Sequence, residues 1–255
     1  YGVTYKEEAA GPADPGIEDP KQPDRVLAWL RQLPTGTFLD YGCGQGGLLT
    51  AAADLGWHAL GVEYDPCVAE AVEHRTGTRI VTPAAADALT GAADVLHLGD
   101  VIEHLTDLNT QFPTILRLLR PGGVLLVQGP LEGNFTLFMG LLRIARRMRG
   151  NPWADMPPYH VLLATAGGQR AFFQRFGLRE IAYRVHEVSW PAAARISPTD
   201  LIRPRKIGLF LARSVSRAVS RLRPDYWGNR FFYAGQASDQ SASALTNGVG
   251  RLTSV

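Results

Sequence analysis

The chain has 255 residues, 45% hydrophobic and 20% charged, with a net charge of +2. That composition excludes a chain that is disordered or collagen-like as a whole, and no apolar run reaches the ~18 residues that a membrane-spanning helix needs. Two cysteines, Cys43 and Cys67, are too few for a disulfide scaffold and point to a reducing compartment, the cytoplasm. The small net charge hides an asymmetry: residues 1–139 carry 8 Lys/Arg against 18 Asp/Glu, and residues 140–223 carry 16 against 4. An acidic half suits a cationic cofactor; a basic half suits an anionic substrate, a membrane surface or an acidic partner.

Residues 1–23, rich in Pro, Gly and acids, read as an irregular lead-in. A short helix over 24–33 puts Val26, Leu27, Leu30 and Leu33 on one face. Strands are predicted at 37–41, 57–63, 79–82, 94–98 and 124–128, with helices at 47–55, from Pro66 onward, and at 106–119, where Pro113 must sit near a start or a kink. Strands alternating with helices mean right-handed crossovers and a parallel sheet covered on both faces. Beyond Gly129 follow an apolar helix turning basic (137–150), a Pro- and aromatic-rich loop (151–160), a helix capped by Thr165, a strand (178–188), a basic amphipathic helix (201–222) and a last strand (229–235). The whole is read as one domain: a binding core over 24–130, cap segments at 131–165 and 189–228, and a flexible tail at 236–255.

Asp40-Tyr41-Gly42-Cys43-Gly44-Gln45-Gly46-Gly47 follows a strand and opens a helix. In that setting glycines let the backbone turn sharply and approach a ligand. Glu63 ends the next strand, where an acid accepts hydrogen bonds from ribose hydroxyls. Spacing alone leaves two cofactors open. Gly42, Gly44 and Gly47 satisfy a dinucleotide fingerprint; Asp40 with Gly42, Gly44 and Gly46 satisfies the acidic glycine loop of S-adenosylmethionine (SAM) enzymes.

FLDYGCGQG, GVEYDP, DVLHLGDVIEHL and LLRPGGVLLV together resemble the class I SAM-dependent methyltransferases. The likeness is to the branch of the ubiquinone-pathway O-methyltransferases and the bacterial small-RNA 2′-O-methyltransferases, and covers roughly residues 25–130. The resemblance implies a Rossmann-like α/β fold: a seven-stranded, mostly parallel sheet with an antiparallel last strand, helices on both faces, and a helical or loop cap over the substrate. It implies that Gly42, Gly44 and Gly46 pass under the methionine part of SAM, with Asp40 near it and Glu63 on the ribose. Asp87 matches the acid that reads the adenine amino group, although it also suits an ordinary helix cap; Tyr64 or Ala88 would be the apolar neighbour of adenine. Cys43 sits within the same contact set as a small filler rather than a catalytic thiol, and Asp100 completes it from the next loop.

Gly99-Asp100-Val101-Ile102-Glu103-His104-Leu105 follows the fourth strand, at the end where ligands bind. If a helix begins there, Asp100, Glu103 and His104 share one face. Two carboxylates and an imidazole suit a divalent cation, Mg²⁺ or Mn²⁺, that acidifies and aligns an alcohol. His160 is read as a further ligand, and a similar Glu-x-x-Glu-His run in the resembling enzymes is associated with a metal, although Asp100 here has a shorter arm. Two other readings stay open: a capping box at Asp100 and Glu103, and His104 or His160, beside Glu103, as a metal-free base. His97, within a strand, is read as a core or supporting residue; His58, His74 and His186 show no partner in sequence.

The acceptor is read as a hydroxyl of a saccharide or specialised metabolite, by analogy a mannoside-type sugar. Aromatics in the cap (Phe135, Phe138, Trp153, Tyr159, Trp190, Tyr226 and Trp227) would stack on it unless they build the core, as would Phe231, Phe232 and Tyr233. A small-RNA 2′-O-methyltransferase, a non-catalytic SAM-binding protein and an NAD-dependent oxidoreductase are the alternatives, and the two basic helices are read as lying on an anionic membrane or forming a homodimer contact.

Overall fold

The computed structural model describes residues 22–148, 164–188 and 203–237. Helix α1 (Gln22–Leu30) leads into β1 (Thr37–Tyr41), α2 (Gly47–Asp54), β2 (His58–Val62), α3 (Pro66–Thr76), β3 (Ile80–Val81), a 3₁₀ segment (Pro83–Leu89) and β4 (Ala93–Gly99). A short 3₁₀ turn (Ile102–His104), α4 (Leu108–Leu116), β5 (Leu119–Pro130), α5 (Leu137–Met148), α6 (Ala166–Arg175), β6 (Leu178–His186), α7 (Pro204–Ser220) and β7 (Arg230–Ala237) complete it.

The strands form one seven-stranded sheet in the order β3-β2-β1-β4-β5-β7-β6. Strands β1 to β5 pair in parallel, and β7 runs antiparallel to both β5 and β6. The order reverses between β1 and β4, which opens a crevice beyond their carboxyl ends. Alternation along the strands covers both faces: Phe38, Val95, Leu126 and Phe232 enter one core, and Leu39, Leu96, Leu125 and Tyr233 the other.

Local chemistry sets the helix ends. The Asp65 carboxylate accepts from the backbone N–H of Cys67 (2.9 Å) at the start of α3, Pro66 occupies the first turn, and Gly77 closes the helix in the left-handed region. Thr165 caps α6 through the Gly168 N–H. The expected elements are present among the described residues, with several differences, among them a fifth strand that starts at Leu119 rather than 124. Pro113 lies inside α4, five residues past its start, rather than at a boundary. Asp107, not Asp100, caps α4, accepting from Asn109 and Thr110. Strand β7 runs to Ala237, past the expected start of the tail at 236. The lead-in, the loop 151–160 and the residues from 238 on lie outside the described residues.

Candidate active site

The loop after β1 is built from its own backbone. Gly42 and Cys43 donate to the Val62 carbonyl at the end of β2 (2.8 and 3.1 Å), and Gly46 donates to the Cys43 carbonyl (2.9 Å). Gly42, Gly44 and Gly46 all hold left-handed backbone, with φ of 81°, 51° and 71°, which glycine alone adopts without a steric cost. Glu63 bridges the loop to the next strand. One of its carboxylate oxygens accepts from the Gly44 N–H (2.9 Å), the other from the N–H groups of Tyr64 and Asp65 (3.0 and 3.2 Å). From α3, Arg75 reaches the Gln45 carbonyl.

Beneath the loop lies a buried polar chain across three strands. The Asp40 carboxylate meets His97 Nδ1 at 2.6 Å, and His97 Nε2 meets the Gln128 side-chain amide nitrogen at 3.1 Å. His97 thus links the Asp40 carboxylate to the Gln128 amide, one ring nitrogen on each. His97 is the supporting residue that the sequence could show only as a polar group inside an apolar strand.

Cys43 points away from the crevice. It is buried with its sulfur packed toward Gly61. Burial, with the Asp40 and Glu63 carboxylates adding to it, pushes its thiol up to about 12, so no thiolate forms at neutral pH. Its N–H and carbonyl both serve the loop, and its side chain has a packing role.

The segment after β4 differs from its expected form. No helix starts at Asp100, so positions 100, 103 and 104 do not share a helical face. Asp100 has φ of 53°, unusual for a residue with a side chain. It is held by its N–H to the Gln128 carbonyl (2.9 Å) and by its carboxylate to Arg230 (2.5 Å), whose guanidinium is buried. Glu103 turns inward: a Cβ on Gly129 would lie 3.2 Å from its carboxylate. His104 stays exposed. Among the described residues no group of three or more His, Cys, Asp and Glu side chains could hold a metal ion. Asp100 is committed to a buried cation and Glu103 points elsewhere, so the residues present do not fit the expected Mg²⁺ or Mn²⁺ set of Asp100, Glu103 and His104. His160 lies outside the described residues.

Asp87 is also displaced. It sits far along the 3₁₀ segment that leads down to β4, exposed, with its carboxylate 3.4 Å from Arg117 at the end of α4. That is the amino end of the parallel strands, away from the crevice, so it does not read an adenine there. Tyr64 is 70% exposed beside Glu63. Phe138, Phe231, Phe232 and Tyr233 are core, whereas Phe135, Tyr226 and Trp227 are exposed. The Asn134 side-chain amide donates to the Tyr226 and Gly228 carbonyls (2.6 and 2.8 Å), tying the residue before Phe135 to the segment that carries Tyr226 and Trp227. Trp153, Tyr159 and Trp190 lie outside the described residues.

The loop and the turn touch. A Cβ on Gly42 would lie 2.7 Å from a methyl of Val101, whereas one on Gly44 would meet nothing within 4 Å. Gly44 therefore opens onto free space at the mouth of the crevice, with Glu63 at its rim. A glycine cradle, open space and an adjacent carboxylate fit an adenosyl donor.

Comparison with known proteins identifies the family. A family model described as a methyltransferase domain matches residues 19–184. The chain belongs to that family, and its fold is that of the class I SAM-dependent methyltransferases. Among curated proteins it is 39% identical over 112 residues to a "Ribosomal protein L11 methyltransferase" of Dechloromonas aromatica, a match covering 42% of this chain and 37% of that protein. It is 32% identical over 124 residues to an "Uncharacterized methyltransferase" of Mycolicibacterium gilvum, covering 44% and 49%. The chain thus spans less than half the length of either relative.

Solved structures share the fold. A complex of the Haloferax volcanii Trm112 methyltransferase activator with a methyltransferase gives a TM-score of 0.59 at 16% identity, over 92% of this chain and 97% of that one. Magnesium protoporphyrin IX methyltransferase of Synechocystis with bound SAH gives 0.54 at 15%, over 86% and 83%. The same fold is found in the [4+2]-cyclase SpnF, with a TM-score of 0.51 at 18% identity, over 84% and 81%. That likeness is a reminder that the fold alone does not fix a reaction. Among the described residues no helix is long and apolar enough to cross a membrane.

Proposed function

We propose that the chain is a SAM-dependent O-methyltransferase acting on a hydroxyl of a saccharide or specialised metabolite, by analogy a mannoside-type sugar. The observation that carries the reading is the contact of Val101 with Gly42, which sets the donor loop directly against the turn bearing His104. SAM supplies a methyl group on a positively charged sulfur, which an acceptor oxygen displaces. The Gly42–Gly46 backbone leaves room for the donor, and Glu63 offers its remaining lone pairs to the ribose. Asp40, turned onto His97, supports the loop from below. The exposed imidazole of His104 takes the proton of the acceptor hydroxyl as oxygen attacks. Asp100, fixed by Arg230, orients the acceptor, and the exposed rings of Phe135, Tyr226 and Trp227 offer apolar faces to it. Both cysteines are free thiols, in keeping with a cytoplasmic protein.

The test is methyl transfer from labelled SAM to a panel of mannosides, other glycosides and phenols, with a small RNA and a ribosomal protein as separate arms. Wild type should methylate a small hydroxylated acceptor and keep its activity in excess EDTA. His104→Asn should lose about 10²–10⁴-fold in rate while binding S-adenosylhomocysteine as wild type does. An unaltered rate in His104→Asn removes the imidazole from the mechanism. Transfer to the RNA alone moves the reading to the small-RNA class.

A further inference from the structure

Helix α7 is inside out. Its buried face is polar: Arg213, Ser216 and Ser220 are all buried. Ser216 accepts from the Phe138 N–H (2.9 Å) and donates to Glu187 (2.8 Å). Ser220 donates to the same carboxylate (2.5 Å), and the Arg213 guanidinium lies 4.6 Å from the centre of the Phe138 ring. These contacts join α7 to α5 and to the end of β6. The opposite face is aliphatic. At 100° per residue, Leu211 and Val215 lie about 40° apart on the side away from Arg213, Ser216 and Ser220, and Leu222 follows two residues past the helix end. They are 55%, 53% and 75% exposed.

Helix α5 repeats the theme. Leu141, Ile144 and Met148 recur at three- and four-residue spacing, and all are exposed. Neither helix contains an acidic residue. Arg147, Lys206, Arg217 and Arg221 are exposed on these helices or at their ends. A helix facing water normally shows the reverse pattern, polar outside and apolar inside.

We propose that α5 and α7 form a docking surface for an anionic lipid bilayer. Aliphatic side chains of this kind enter the acyl boundary while Lys and Arg stems reach back to the lipid phosphates. The charge selects this occupant. Acid-free cationic helices are drawn to an anionic surface, whereas apposing them on a second copy of the chain sets like charges together. A single-stranded nucleic acid asks for aromatic platforms, and these stripes are aliphatic. The surface is independent of which acceptor the site methylates.

The experiment is flotation of the full chain with vesicles of phosphatidylcholine, alone or with about 30% phosphatidylglycerol, a strongly anionic composition. The chain should float with the anionic vesicles and not with the neutral ones, and raising salt from about 0.1 to 0.5 M should release it. The double variant Leu211→Gln/Val215→Gln, altered only on the outer face, should bind at least about tenfold more weakly with its thermal melt and S-adenosylhomocysteine affinity unchanged. Equal flotation by the variant, or no preference for anionic vesicles, overturns the proposal. So does a wild-type dimer that the variant converts to monomer without any vesicle binding, or binding to an RNA oligonucleotide in place of vesicles.

Discussion

The two sides of the crevice are held by different kinds of bond. The side proposed for the donor, from β1 to α3, is fixed mostly through backbone groups: Gly42, Cys43 and Gly46 bond to neighbouring main chain, and the Glu63 carboxylate collects three backbone N–H groups above the Asp40–His97–Gln128 chain. The side proposed for the acceptor is fixed by side chains from distant parts of the sequence. Asp100 meets Arg230, and Asn134 meets the carbonyls of Tyr226 and Gly228. A backbone-built site tolerates change in its side chains, and a side-chain-built site is free to vary with its substrate. That division suits an enzyme family in which one donor serves many acceptors.

The sharpest blow to the donor side comes from below it. His97→Ala leaves the Asp40 carboxylate buried without its imidazole, so stability should fall by about 3 kcal/mol. Urea denaturation measures this. A loss under about 1 kcal/mol would mean that the chain Asp40–His97–Gln128 does not support the loop.

On the acceptor side the effect is smaller and depends on backbone. Asp100→Gly and Asp100→Ala both lose the Arg230 pair, but only alanine keeps the cost of left-handed backbone. Asp100→Ala should therefore be less stable than Asp100→Gly by about 1 kcal/mol, read from paired thermal melts. Equal stabilities would mean that the turn relaxes when the carboxylate is removed, and that Arg230 alone holds its shape.

The same division governs what the sequence reveals. The donor loop is legible because its parts are contiguous and its glycines answer to a local backbone need. The seven-stranded, mostly parallel sheet with its antiparallel last strand follows from the alternation of strands and helices together with the family likeness. The turn at 100–104 misleads because Asp-x-x-Glu is also a helix-start pattern; only the left-handed Asp100 and the cap at Asp107 show that the helix begins later. Asp87 misleads because it follows β3 in sequence yet lies down the 3₁₀ segment toward Arg117. Arg230 leaves no signal at all. It stands 130 residues from its partner, and only the antiparallel pairing of β7 with β5 delivers it to Asp100. The polar inner face of α7 was hidden for a similar reason, since a basic amphipathic pattern does not say which face turns inward.

The most direct test of the donor cradle is a calorimetric titration of wild type and Gly44→Val with S-adenosylhomocysteine. Gly44 opens onto unfilled space, so a valine there both strains the left-handed backbone and occupies the room offered to the adenosyl group. Wild type should show saturable binding at one site, and Gly44→Val should bind about a hundredfold more weakly or not at all while keeping its circular dichroism spectrum. Equal affinity in the two proteins, or no binding by wild type, would contradict the assignment of the Gly42–Gly46 loop as the SAM site.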